Sequence, residues 1–120
     1  MEELSRNEER IMQILWKLEK AFVKDILDHI DEVPKPPYNT VSSIVRLLEK
    51  KGYVSYRAYG KTYEYYPALS KEEYTKTSFA KLMSGYFESS PKRLLSYMLR
   101  EERLSDEDII EMKRMIEGKD

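Results

Sequence analysis

The sequence predicts a mainly α fold with one small β-hairpin. Three observations carry that reading. Apolar residues recur at helical spacing in three segments before residue 52, the period drops to two between residues 53 and 66, and helical spacing returns from residue 70 onward.

The first helix is announced by "SRNE", in which Ser5 can accept from early amides while Glu8 reaches back, a capping box. Ile11, Leu15 and Leu18, with Met12 and Trp16 beside them, then form one apolar face over about residues 5–19. A second helix is expected over about residues 23–31 on Ile26, Leu27 and Ile30, preceded by Phe22 as a short strand or core plug. The segment "DEVPKPPYNT" ends it, because proline neither continues a helix nor donates to a ladder.

Asn39 or Thr40 is the expected cap of a third helix over residues 40–51, with Val41, Ile44, Val45 and Leu48 on one stripe. Asn39, Ser42, Ser43, Arg46 and Lys50 fall on the opposite side, a face of amides, hydroxyls and positive charge. Gly52 suits the φ > 0 position after a helix end. Two runs rich in Tyr, Val and Thr, at residues 53–58 and 62–66, bracket a turn at Tyr59-Gly60-Lys61 and read as a hairpin. Helices are expected again from Ser70 to about Glu88, from Pro91 to about Glu102, and from the cap "SDED" at Ser105 onward.

Composition bounds the function. The chain has 120 residues, no Cys and a single His, which removes disulfides, thiol nucleophiles and nearly every structural zinc site. No run approaches the roughly 20 apolar residues that span a bilayer, and "MEELSRNEER" lacks a secretory pattern, so a cytoplasmic protein without membrane insertion is expected. There is no Ser/His/Asp set, no phosphate-cradling Gly loop and no metal-ligand spacing, hence no cofactor, metal or enzyme activity is expected.

The charge is segregated. Residues 1–33 hold five Lys/Arg against nine Asp/Glu, residues 34–67 hold six against two, and residues 68–120 hold ten against eleven. The basic third contains the third helix and the hairpin. Three helices followed by a hairpin within residues 1–69 is the order of a winged helix-turn-helix, in which the third helix enters the DNA major groove and the hairpin tip reaches the backbone. The expected DNA-binding residues are Asn39, Thr40, Ser42, Ser43, Arg46, Lys50, Arg57, Tyr59 and Lys61, with Lys51 as a further phosphate contact.

A polar helix face is also what solvent alone selects, so Lys50 by itself carries either reading. Tyr53, Tyr63 and Tyr65 read as strand residues filling a hairpin face rather than as stackers of bases. Tyr59, beside Arg57 and Lys61, is placed for sugar or backbone contact. The competing class is a winged-helix module that binds protein, whose signature would be an apolar patch on the third helix.

Residues 70–120 form a second, helical region with more apolar surface than it can cover by itself, which implies a partner. A symmetric homodimer is the simplest one, and it places two third helices on successive turns of palindromic double-stranded DNA. The dimerisation set is Phe79, Leu82, Met83, Tyr86, Leu94, Leu95, Met98, Leu99, Ile109, Met112 and Ile116.

The stretches "LSRNEERIMQILWKLEKAFVKDI", "YNTVSSIVRLLEKKGYVSYRAYGKTYEYYPALSKEEY" and "LSDEDIIEMKRMI" resemble the penicillinase-repressor (BlaI/MecI) family, which also contains copper-responsive CopY repressors. The resemblance runs through nearly the whole chain. It implies a dimeric winged-helix repressor of antibiotic-resistance genes, with Thr40, Ser43 and Arg46 in the major groove and interlocked C-terminal helices. It further implies release through a membrane sensor-protease pathway that leads to cleavage, by position, near Tyr97–Met98, where the best-known members have Asn-Phe. Copper-type members sense metal through C-terminal cysteines, which this chain lacks.

Overall fold

Ser5 starts the first helix as its sequence predicts: its hydroxyl accepts from the Glu8 amide at 3.2 Å and the Glu8 carboxylate accepts from the Ser5 amide at 2.8 Å. The computed structural model describes residues 3–101 and 104–118. The elements are α1 (Arg6–Leu18), α2 (Val23–Asp28), α3 (Tyr38–Lys50), β1 (Val54–Tyr59), β2 (Thr62–Pro67), α4 (Lys71–Tyr86), α5 (Pro91–Glu101) and α6 (Asp106–Glu117). The fold is therefore mainly α with one antiparallel hairpin, as expected.

Several local expectations need correction. Helix α2 ends at Asp28 rather than near residue 31, and the Lys35 ammonium, 2.9 Å from the Leu27 carbonyl, satisfies one of its last acceptors. Phe22 is extended as the N-cap of α2, but the residue that pairs as a short strand is Ala21, which exchanges both backbone hydrogen bonds with Tyr65 at 2.9 and 2.8 Å. Helix α3 begins at Tyr38, two residues early. Its N-cap is Pro37, whose carbonyl accepts from Thr40 and Val41, and no side chain caps it. Asn39 and Thr40 consequently lie inside the first turn instead of capping it. The predicted end of α5 at Glu102 lies outside the described residues.

The end of α3 follows its sequence closely. The Tyr53 amide donates to the Leu48 carbonyl and the Gly52 amide to Glu49, with Gly52 at φ 89°, a Schellman closure that a side chain at that position would strain. Strands β1 and β2 pair from Val54↔Pro67 to Tyr59↔Thr62, so the turn is the two residues Gly60-Lys61 and Tyr59 belongs to the strand. Gly60, at φ 63°, occupies the loop position where primed hairpin turns favour glycine.

The chain divides into two compact units, residues 1–75 and 76–120. One core serves the first: Ile11, Met12 and Leu15 of α1, Val23 and Ile26 of α2, and Val41, Val45 and Leu48 of α3 close on Tyr53, Val54 and Tyr65. Trp16 covers one edge, donating from Nε1 to the Leu69 carbonyl at 2.9 Å with its ring 5.4 Å from that of Tyr74. In the second unit Met83 is the one buried hydrophobic residue among those described. Phe87 and Tyr97 there meet edge to face at 5.5 Å.

Candidate nucleic-acid interface

Helix α3 turns its stripe of Val41, Val45 and Leu48 into the core, which forces Asn39, Thr40, Ser43, Arg46 and Lys50 outward; all five are exposed, and Ser42 is half-buried beside them. Asn39 and Thr40 lie in the first turn, where the helix dipole favours an anion, although the Thr40 amide already donates to the Pro37 carbonyl at 3.0 Å. An Arg46 guanidinium nitrogen approaches the Ser43 hydroxyl at 3.5 Å, a contact too long to hold either side chain in place.

The hairpin is fixed beside this helix at two levels. At its base, the Ala21–Tyr65 bridge turns the hairpin into a short third strand's neighbour. Farther out, the Tyr59 ring lies 5.9 Å from that of Phe22. The tyrosines support one another: Tyr56 stacks on Tyr63 at 4.2 Å and a 15° interplanar angle, and Tyr65 lies about equally near both rings, at 6.0 and 6.3 Å. Tyr53 and Tyr65 are buried in the core. Burial pushes the Tyr65 phenol up, while the Arg46 charge nearby pulls it the other way.

Between these elements opens a cleft of about 800 Å³ lined by Ser42 and Arg46 of α3, Lys61 and Thr62 of the hairpin, and Lys24 and Asp25 of α2, with Tyr38 and Tyr63 among its walls. Three cations from three elements face one space. The one carboxylate there, Asp25, accepts from the Phe22 amide at 3.0 Å and so is held at the start of α2.

Of the residues expected from sequence, Ser42, Arg46 and Lys61 share this cleft. Asn39, Thr40, Ser43 and Lys50 lie on the exposed face of α3 outside it, and Tyr59 is exposed in β1. Arg57 stands directly opposite Glu64 in the hairpin register, so a carboxylate tempers its charge. Lys51 must be withdrawn as a phosphate contact. Its ammonium donates to Oε1 of Glu8 at 2.9 Å and lies 2.8 Å from Oε2, with both side chains largely buried.

Sequence reasoning missed Lys24 and Tyr38. Lys24 is the one Lys/Arg within residues 21–33, a signal that stands out only once α2 is known to border the hairpin. Among the described residues no group of acidic or His side chains is arranged to hold a metal, and no helix is long and apolar enough to cross a membrane.

The sequence pattern described as "Penicillinase repressor" matches residues 4–118, almost the full length. The chain belongs to the penicillinase repressor family. It is similar to the "Penicillinase repressor" of Bacillus licheniformis, 18% identical over 115 residues that cover 96% of this chain and 90% of that protein. It is also similar to the "Methicillin resistance regulatory protein MecI" of Staphylococcus aureus (strain N315), 20% identical over 117 residues, 98% of this chain and 95% of that protein. The penicillinase repressor family is one of regulators rather than enzymes, in keeping with a surface whose assets are donors and charge.

Proposed function

We propose that this member of the penicillinase repressor family is a cytoplasmic, homodimeric transcriptional repressor of palindromic operator DNA. Helix α3 enters the major groove, Arg46 and Ser43 face base edges, and Asn39, Thr40 and Lys50 meet the flanking sugar-phosphate backbone. The backbone strand crosses the cleft, where Lys24 and Lys61 meet phosphates, while Arg57 and Tyr59 contact DNA beyond it. The observation that carries the reading is that cleft: Lys24, Arg46 and Lys61 are remote in sequence, and folding gathers them beside the donor face of α3.

Dimerisation through α4, α5 and α6 follows from what these helices leave uncovered. Phe79, Leu82, Tyr86, Leu99, Ile109 and Ile116 are exposed, Leu94, Leu95, Met98 and Met112 are half-buried, and Met83 is buried. Apolar surface of this extent is suited to a second copy of the same helices. Release by a sensor-protease pathway at Tyr97–Met98 requires α5 to open, since both residues lie inside that helix and proteases act on extended backbone.

Nuclease footprinting on the promoter of the chain's own operon tests the proposal. Two protected half-sites whose centres are separated by one or a few helical turns, about 10 base pairs each, are expected. Protection of an isolated half-site, or none at low salt, contradicts it. For the release step, a fragment ending at Tyr97, identified by mass spectrometry in cells exposed to a β-lactam, is expected; intact chain in fully derepressed cells contradicts that step.

A further inference from the structure

Leu47 is the one large aliphatic residue of α3 that the fold leaves exposed, at 45% of its surface, while Val41, Val45 and Leu48 of the same helix are at 0%. It follows Ser43 by one helical turn and precedes Lys50 by three residues, so its side chain stands on the ridge that carries those two donors, one position on from Arg46. No ring contact, ion pair or core role engages it among the described residues. This is an apolar spot beside a hydroxyl and an ammonium, on the same exposed side of the helix as a guanidinium.

It matches a major-groove base edge. Guanine offers two acceptors there, and thymine offers an acceptor with a C5-methyl group beside it. We propose that Leu47 is a specificity-determining residue that packs on a thymine methyl in the operator, while Arg46 and Ser43 take the neighbouring acceptors. This rests on the DNA-binding reading above and adds a ligand group to it. Thymine is thereby read by contact with its methyl, so a pyrimidine lacking that methyl is discriminated against at the same position.

The test uses operators in which each thymine in turn is replaced by deoxyuridine, which removes the methyl and keeps every hydrogen-bonding group. Binding of the wild-type chain, Leu47→Ala and Leu47→Met is followed by fluorescence anisotropy. At one or two thymines per half-site the wild type should lose about fourfold in affinity per methyl, the value of one buried methyl group. Leu47→Ala should bind the thymine and deoxyuridine forms equally, and Leu47→Met should keep most of the discrimination. Two results overturn the proposal while leaving DNA binding intact: a wild type indifferent to every replacement, or a Leu47→Ala chain that loses as much as the wild type. A wild type that binds no operator form overturns the DNA-binding reading and this inference with it.

Discussion

Lys51 and Glu8 join α3 to α1 within the unit of residues 1–75: the ammonium at the C-cap of α3 lies 2.8 and 2.9 Å from the two carboxylate oxygens at the start of α1. Glu8 also accepts from the Ser5 amide, so one carboxylate caps α1 and anchors α3. Replacing Lys51 by Met leaves that carboxylate, 4% exposed, without its cation. Destabilisation of about 3 kcal/mol is expected from urea unfolding, the low end for breaking a buried pair. A change below about 0.5 kcal/mol, the ordinary range for a surface residue, would contradict the assignment.

The same pair sets an acid dependence. Burial raises the Glu8 pKa, but the hydrogen bonds from Lys51 and Ser5, together with the Lys51 charge, outweigh it and leave it below the usual 4.5. A folded-state value below the unfolded one means that the unfolded chain binds the proton more readily. The stabilisation is therefore present above about pH 4.5 and is lost as pH falls through the folded value. Urea midpoints measured between pH 6 and pH 3 should fall more steeply for the wild type than for Glu8→Gln; parallel profiles would refute the linkage.

Trp16 ties the segment before α4 to α1 through its 2.9 Å hydrogen bond to the Leu69 carbonyl. Trp16→Phe keeps a ring against Tyr74 but leaves that carbonyl without this donor. A loss of about 1–2 kcal/mol is expected by circular dichroism. Full stability would show that water replaces the indole at no cost.

Arg46, Lys24 and Lys61 share a cleft but are assigned different jobs. Arg46→Ala should weaken operator binding by about 1–3 kcal/mol and random DNA much less, because a base contact carries the discrimination. Lys24→Ala and Lys61→Ala should weaken both DNAs alike and each lower the slope of log affinity against log salt by about 0.9. Equal losses on both DNAs for all three would remove the base-reading role of Arg46.

Leu99 and Ile116 are exposed on α5 and α6, 55% and 77% respectively. Leu99→Glu or Ile116→Glu should yield a monomer by sedimentation at tens of micromolar, with the residue 1–75 unit still folded. Operator affinity should drop about a hundredfold as the two half-sites cease to be bound together. A wild-type chain that already sediments as a monomer would contradict the assignment of these helices.

What could be read from sequence was what local chemistry decides. The caps at Ser5 and Ser105 form as spelled, and the apolar stripe of α3 alone fixes which of its residues face outward. Gly52 and Gly60 mark a helix end and a turn because backbone at positive φ selects them. What escaped was long-range. Lys51 reads as a free cation until α1 is packed against α3, Ala21 reads as a linker until Tyr65 pairs with it, and Lys24 belongs to an acidic helix until the hairpin stands beside it. The start of α3 at Tyr38 is not legible in the sequence because its N-cap, Pro37, has no polar side chain to announce it.

The proposed role of α3 and the hairpin is to read a specific DNA sequence. The most direct measurement is an anisotropy titration of the wild-type chain on a dyad-bearing fragment of its own promoter and on a scrambled fragment of equal length, at two salt concentrations. Saturable binding that weakens at higher salt is expected, with the scrambled fragment bound at least about a thousandfold more weakly. Equal affinity for the two fragments, or no binding to any dyad-containing fragment at low salt, would contradict it.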